Sequence, residues 1–335
     1  MKQLLKLSAA TLLVVGALGV QASTLSDVQA KGHVSCGVSK GLAGFSAADS
    51  AGNWTGVDVD VCRAVAAATL GDAQKVKFVP LTAKERFTAL QSGEIDMLSR
   101  NTTWTITRDA SLGLNFAGVN YYDGQGFMVK SSLGVSSAME LSGAAVCIQA
   151  GTTTELNLAD WGKANGIDYN SVVSDTNAQT LTNYDSGRCD VLTTDASGLY
   201  SMRAAANDPS EHVVLPEIIS KEPLGPVVRQ GDDQWFNIVR WSLNAMITAE
   251  ELGVTSATVD DVSNNPERER LMGRSGSTHE YVGLTPDWTY QIVKQVGNYS
   301  ESFERNIGLN TPIGIARGVN ALWTDGGILY SPPFR

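Results

Sequence analysis

Residues 75–103 read KVKFVPLTAKERFTALQSGEIDMLSRNTT, and the order of signals in this run decides the fold. Residues 75–81 are apolar and β-branched enough for a strand. Thr82-Ala83-Lys84-Glu85 then has the form of a capping box, in which the threonine hydroxyl and the glutamate carboxylate each serve the other's backbone N–H, so a helix opens here. It runs to Ser92 and stops at Gly93. Residues 94–99 return as a strand, followed by the polar run Arg100, Asn101, Thr102 and Thr103. A strand, a helix and a strand in so short a span predict a parallel βαβ unit and an α/β fold.

The same rhythm extends both ways. Upstream, residues 33–38 suit a first strand, Asn53-Trp54-Thr55-Gly56 a turn, and residues 57–70 a helix with Asp58 and Asp60 near its positive N-terminus and Gly71 as its stop. Downstream a second unit begins near Leu141, with a strand over 144–149, a turn at Gly151 and a further capping box at Thr152-Thr153-Thr154-Glu155. Its helix ends at Gly166; residues 171–173 and 189–194 are strand-like and 178–186 helix-like. The segment 126–131 leaves the first unit, 223–228 leaves the second, and a long helix is expected over 234–252. Two extended crossings predict a hinge, with a ligand cleft between two Rossmann-like lobes. One lobe is expected to comprise residues 23–127 and 229–335, C-terminal extension included, and the other residues 128–228.

Composition bounds the function. The chain has 335 residues, 43% hydrophobic and 18% charged, which is globular. A net charge of -10 argues against nucleic acid as a partner, since that binding needs Lys and Arg on phosphates. Lys2 and Lys6, the apolar run 12–20 and Val20-Gln21-Ala22 make residues 1–22 a cleavable secretory signal, too short to span a bilayer. The mature chain is then expected to be soluble in the periplasm. Cys36, Cys62, Cys147 and Cys189 leave three pairings open, of which Cys36 with Cys62 and Cys147 with Cys189 keeps both bridges within a lobe. Their spacing and the scattered histidines fit no metal site, and no cofactor is expected.

Ligands gather at the carboxyl ends of parallel strands. After 95–99 come Arg100, Asn101, Thr102, Thr103 and later Arg108; after 144–149 come Gly151, Thr152 and Thr153 at a helix N-terminus; after 189–194 comes Asp195. A guanidinium and free backbone N–H groups suit a carboxylate, and an aspartate with hydroxyls suits an ammonium. Together they match an amino-acid zwitterion. Taken singly, Arg108 reads as a surface charge, and Asp195 and Thr152 as N-caps.

These residues resemble a known family, the extracellular solute-binding proteins of polar amino-acid ABC importers, with the periplasmic-binding-protein type II fold. The resemblance rests on Gly56-Val57-Asp58-Val59-Asp60-Val61, Gly93-Glu94-Ile95-Asp96-Met97, Thr105-Ile106-Thr107-Arg108, Asn115-Phe116, Tyr121-Tyr122, Gln149-Ala150-Gly151-Thr152-Thr153, and Asp190 with Asp195. It implies that Arg108 holds the ligand carboxylate, that Asn101 and Thr103 contact the ligand backbone, that Thr153 and the Thr152 N–H close from the second lobe, and that Asp195 takes the ammonium. Arg86, Arg100 and Gln149 fall where relatives line the cleft toward the ligand side chain. The C-terminal stretches Thr285-Pro286-Asp287-Trp288 and Leu322-Trp323, with the closing Ser331-Pro332-Pro333-Phe334-Arg335, resemble the general L-amino-acid binders. That implies broad specificity, a monomer, and an inner-membrane permease with its ATPase as partner. One departure is Leu42, or Phe45 by another alignment, where relatives carry an aromatic that stacks on the ligand.

Two rivals share the fold. A cyclohexadienyl dehydratase would need a general acid in the cleft, for which Asp195 is the one candidate. A sensor would present its closed form to a membrane receptor through the same site.

Overall fold

The computed structural model describes residues 23–335, so the expected signal segment lies outside the described residues. From the N-terminus come α1 (Thr24–Lys31), β1 (Val34–Ser39), the ribbon strands β2 (Ala47–Ala48) and β3 (Trp54–Thr55), α2 (Val57–Leu70), β4 (Val76–Leu81), α3 (Arg86–Gln91), β5 (Met97–Leu98) and β6 (Leu114–Phe116). Then β7 (Tyr121–Asp123) leads to β8 (Gln125–Lys130), β9 (Ala145–Gln149), α4 (Thr153–Asn165), β10 (Asn170–Ser174), α5 (Asn177–Asp185), β11 (Val191–Asp195), α6 (Ala196–Ala205) and β12 (His212–Val214). The chain returns by β13 (Glu222–Leu224) to β14 (Val227–Arg229) and the helices α7 (Asp233–Glu251), α8 (Pro266–Leu271), α9 (Thr278–Val282), α10 (Trp288–Val296) and α11 (Tyr299–Asn306).

Two five-stranded sheets result, ordered β4-β1-β5-β14-β6 and β10-β9-β11-β8-β12. In each the βαβ strands run parallel, and the strand arriving from the other sheet is antiparallel: β14 against β5 and β6, β8 against β11 and β12. The crossings β7 and β13 pair with each other as a hinge ribbon. The change-over points read from the sequence, 127/128 and 228/229, fall inside β8 and β14, because each crossing strand runs on into its new sheet.

The local signals act as their chemistry dictates, with three differences. Thr82 N–H donates to the Glu85 carboxylate at 2.9 Å and Glu85 N–H to Thr82 Oγ1 at 3.3 Å, so the box forms, but regular helix starts only at Arg86. At the second box, Glu155 accepts from Gly151 N–H at 2.7 Å while the Thr152 hydroxyl turns back to the Gln149 carbonyl, leaving α4 without a side-chain cap. Regular strand in 94–99 is confined to Met97–Leu98: the Asp96 and Ser99 N–H groups still bond the Ser35 and Gly37 carbonyls, but the Asp96 carboxylate takes the Ser35 N–H at 2.7 Å.

α2 is buried on almost every side, its small residues Ala64, Ala66 and Ala67 letting the β1 sheet, α7 and α10 approach closely. Disulfides join Cys36 to Cys62, β1 to α2, and Cys147 to Cys189, beside β11. The C-terminal extension packs on the first sheet's side. Asp60 in the first turn of α2 accepts from Ser302, Arg305 and Asn306, and the Asn320 amide holds both the N–H (2.7 Å) and the C=O (3.0 Å) of Tyr122 in the hinge strand β7.

Candidate ligand site between the two sheets

On the first sheet's side, three buried guanidiniums stand together at the strand ends. Arg86 and Arg100 are each 2% exposed and Arg108 8%. Arg100 Nε donates to the Leu81 carbonyl at 3.2 Å and Arg108 Nη1 to the Thr103 carbonyl at 2.9 Å, while Arg86 Nη1 only reaches Thr102 Oγ1 at 3.5 Å and its Nε is unpartnered. Arg86 and Arg108 both lie over the Phe87 ring, 4.8 and 5.2 Å from its centroid. Among the described residues none of the three forms an ion pair, although buried charges normally do. Burial lowers all three pKa values, Arg100 to about 10; repulsion among the guanidiniums adds to this at Arg86 and Arg100, while Glu222 and Asp195 oppose it at Arg108.

The loop carrying them is built by Asp58. Its carboxylate, in the first turn of α2, accepts from Asn101 N–H at 2.6 Å, Ser99 Oγ at 3.1 Å and Asn120 Nδ2 at 3.0 Å. Asn101 is held at φ 31°, the single positive φ outside glycine among the described residues, where local strain marks a constrained position. The Thr103 N–H is left without an acceptor among the described residues, because its neighbours Trp104 N–H and Thr102 C=O take the bonds to β13.

The second sheet contributes the opposite chemistry. α4 points its N-terminus at the cleft, with the Thr152 and Thr153 N–H groups unpaired among the described residues. Asp195 ends β11, is 6% exposed, and does not cap α6. That duty falls to Asp123 of β7, which accepts from Ser197 N–H and hydroxyl and from Gly124 N–H. Asp195 is thereby free to face the cleft. Burial, then the neighbouring Asp123 and Glu222, raises its pKa well above the usual carboxylate range, against the pull of Arg86 and of a hydrogen bond with Asn101. Burial also pushes Asp123 up to about 6.

The walls meet. Thr103 Oγ1 lies 3.4 Å from Thr153 Oγ1, Lys84 Nζ 2.8 Å from Asp175, Ser201 Oγ 2.6 Å from the Ala43 carbonyl, and Asn177 Nδ2 3.4 Å from Ser39 Oγ. A Cβ at Gly151 would sit 2.9 Å from Lys84 Cγ, so the turn before α4 needs a glycine to approach this closely.

Of the residues singled out from the sequence, Arg86, Arg100, Asn101, Thr103, Arg108, Thr153 and Asp195 converge on this cleft. Thr152 brings there its N–H, unpaired among the described residues, its hydroxyl being bonded to the Gln149 carbonyl, and Gln149 turns elsewhere, its amide donating to the Asp175 carbonyl. Phe45 packs edge-on against Tyr121 in the core, 5.4 Å between centroids, and offers no stacking platform. Sequence reasoning missed Asp58, Asp123 and Glu222 as parts of the site. The available signal was an acidic residue in each crossing strand, but their convergence depends on pairing across about a hundred residues.

Residues 34–258 match the model of the bacterial extracellular solute-binding proteins, family 3. The chain is 61% identical over 330 residues, 97% of each chain, to a general L-amino acid-binding periplasmic protein of Rhizobium johnstonii. It is 56% identical over 326 residues, 96% of each, to a glutamate/glutamine/aspartate/asparagine-binding protein of Rhodobacter capsulatus. Among solved structures, a periplasmic binding protein of an ABC transporter from Brucella ovis, with glutathione bound, superposes with a TM-score of 0.92 at 57% identity, covering 94% of this chain and 100% of that one.

Proposed function

The chain belongs to the bacterial extracellular solute-binding proteins, family 3, and from that premise we propose that it captures free L-amino acids in the periplasm and hands them to an inner-membrane ABC permease. The observation that carries this reading is the division of charge across the cleft. One wall holds Arg86, Arg100 and Arg108 without ion-pair partners, the other the buried Asp195. A zwitterion satisfies both walls at once, so it favours the closed state over the open one.

In this reading Arg108 and the Thr103 N–H take the α-carboxylate, and an Arg–carboxylate pair can be bidentate. Asn101 contacts the ligand backbone, the N-terminus of α4 with Thr152 and Thr153 closes from the other side, and Asp195 takes the ammonium. Arg86 and Arg100 remain for the side chain. The absence of a stacking aromatic supports tolerance of many side chains, as do the relatives named for general or for several amino acids. Glutathione in the Brucella ovis protein fits the same logic, since its γ-glutamyl end is itself an α-amino-acid zwitterion. A permease driven by an ATPase, and action as a monomer, complete the proposal.

Capture without turnover is preferred to dehydration because the relatives matched over nearly their whole length are binding proteins. The test is calorimetric titration of the mature chain with a panel of L-amino acids, D-alanine and prephenate. Stoichiometric binding of several L-amino acids without turnover is expected; consumption of prephenate would overturn the reading.

A further inference from the structure

Glu222 and Asp123 sit directly opposite each other in the register of the hinge ribbon. Like charges at facing positions destabilise an antiparallel pair, so each needs compensating partners. Asp123 finds them at the start of α6. Glu222, 1% exposed, finds them in the cleft: Oε1 accepts from Asn157 Nδ2 at 2.5 Å and Ser220 Oγ at 2.8 Å, and Oε2 from Thr103 Oγ1 at 2.5 Å and Thr153 Oγ1 at 3.0 Å.

We infer that Glu222 is a positioning residue for ligand capture, drawing Thr103 and Thr153 from opposite walls onto one carboxylate oxygen in the hinge. The inference rests on the reading of this cleft as an amino-acid site. Two consequences follow from the geometry. Two hydroxyls that share one acceptor cannot lie more than about 6 Å apart, so parting the walls further than that breaks at least one of these bonds. Glu222 therefore favours the shut form. A carboxylate only accepts, so both threonine protons point at Glu222 and their lone pairs are left for an ammonium in the cleft.

The experiment is stopped-flow binding of L-glutamate to the mature chain and to Glu222→Gln, with thermal melting of both. The amide removes one acceptor oxygen and adds a donor facing donors. Dissociation from E222Q should be at least about tenfold faster, as for loss of hydrogen bonds to a charged group. Association should change by less than about threefold, because a contact made only on closure acts on the off-rate. Because Glu222 acts through Thr153, combining E222Q with Thr153→Val should cost less than the sum of the single effects. An unchanged dissociation rate, or single losses that add in full, would overturn the inference. If E222Q no longer melts cooperatively, Asn157→Ala, which strips a partner from the other oxygen of the same carboxylate, replaces it; faster dissociation is again expected, and an unchanged rate is again fatal. A wild-type chain that binds no L-amino acid would sink the functional reading itself, whereas normal wild-type binding with an unaffected E222Q sinks only this step.

Discussion

Arg108 and Asp195 face the cleft from opposite walls, each buried and each short of a full set of partners. Truncating either strands the opposite charge of the ligand, so Arg108→Ala and Asp195→Ala should each weaken every ligand by more than ~2 kcal/mol in calorimetry. Normal binding by Arg108→Ala would show the carboxylate to be held elsewhere. Arg86→Ala and Arg100→Ala should instead reorder the ligand panel, with acidic side chains losing most. The raised pKa of Asp195 gives a sign for pH: an ammonium favours the ionised carboxyl, so affinity should tighten as pH rises through the Asp195 titration, and Asp195→Asn should flatten that dependence. Asp123 gives a sign for stability. Its folded value of about 6 exceeds the unfolded one near 3.8, so the folded state holds the extra proton between them. Its contribution is complete below pH ~4 and is lost as pH rises through ~6, so wild type should lose melting temperature relative to Asp123→Asn across that window.

Between residues and the whole lie the staples and braces. Each disulfide closes a local loop, its cysteines 26 and 42 positions apart, and loops of that size correspond to about 3–4 kcal/mol by chain entropy. Paired Cys→Ser variants should melt earlier while keeping the ligand ranking, because neither bridge touches the cleft loops. Strands and helices were legible because their signals are local: glycine stops at Gly71 and Gly166 take positive φ, and the Thr82–Glu85 box forms its reciprocal bonds. The shortened β5 was not, since the Asp96 carboxylate, which takes the Ser35 N–H, answers to Ser35 and Lys31, both far back in the chain. Nor was the Asn320 clasp on Tyr122, which ties the C-terminal extension to the hinge from 198 residues away.

At the scale of the molecule, the contacts that shut the cleft are few and polar. The Lys84–Asp175 pair is exposed, with side chains 58% and 62% accessible, and such pairs contribute at most ~1 kcal/mol. Lys84→Ala should therefore change affinity by less than about fivefold, leaving the ligand and the buried contacts to dominate closure. The α/β alternation, the two-unit organisation with two crossings and the candidate charges at strand ends are all legible in the sequence, because each depends on residues within a turn or a strand of one another. The sequence left three cysteine pairings open and assigned Asp195 and Asp123 no division of labour. Those were decided only by the tertiary structure, which brings Glu222 to Thr103 across 119 positions and Asp123 to Ser197 across 74. The physical reason is that a buried carboxylate is defined by what surrounds it, and its surroundings come from segments that chain order alone does not bring together.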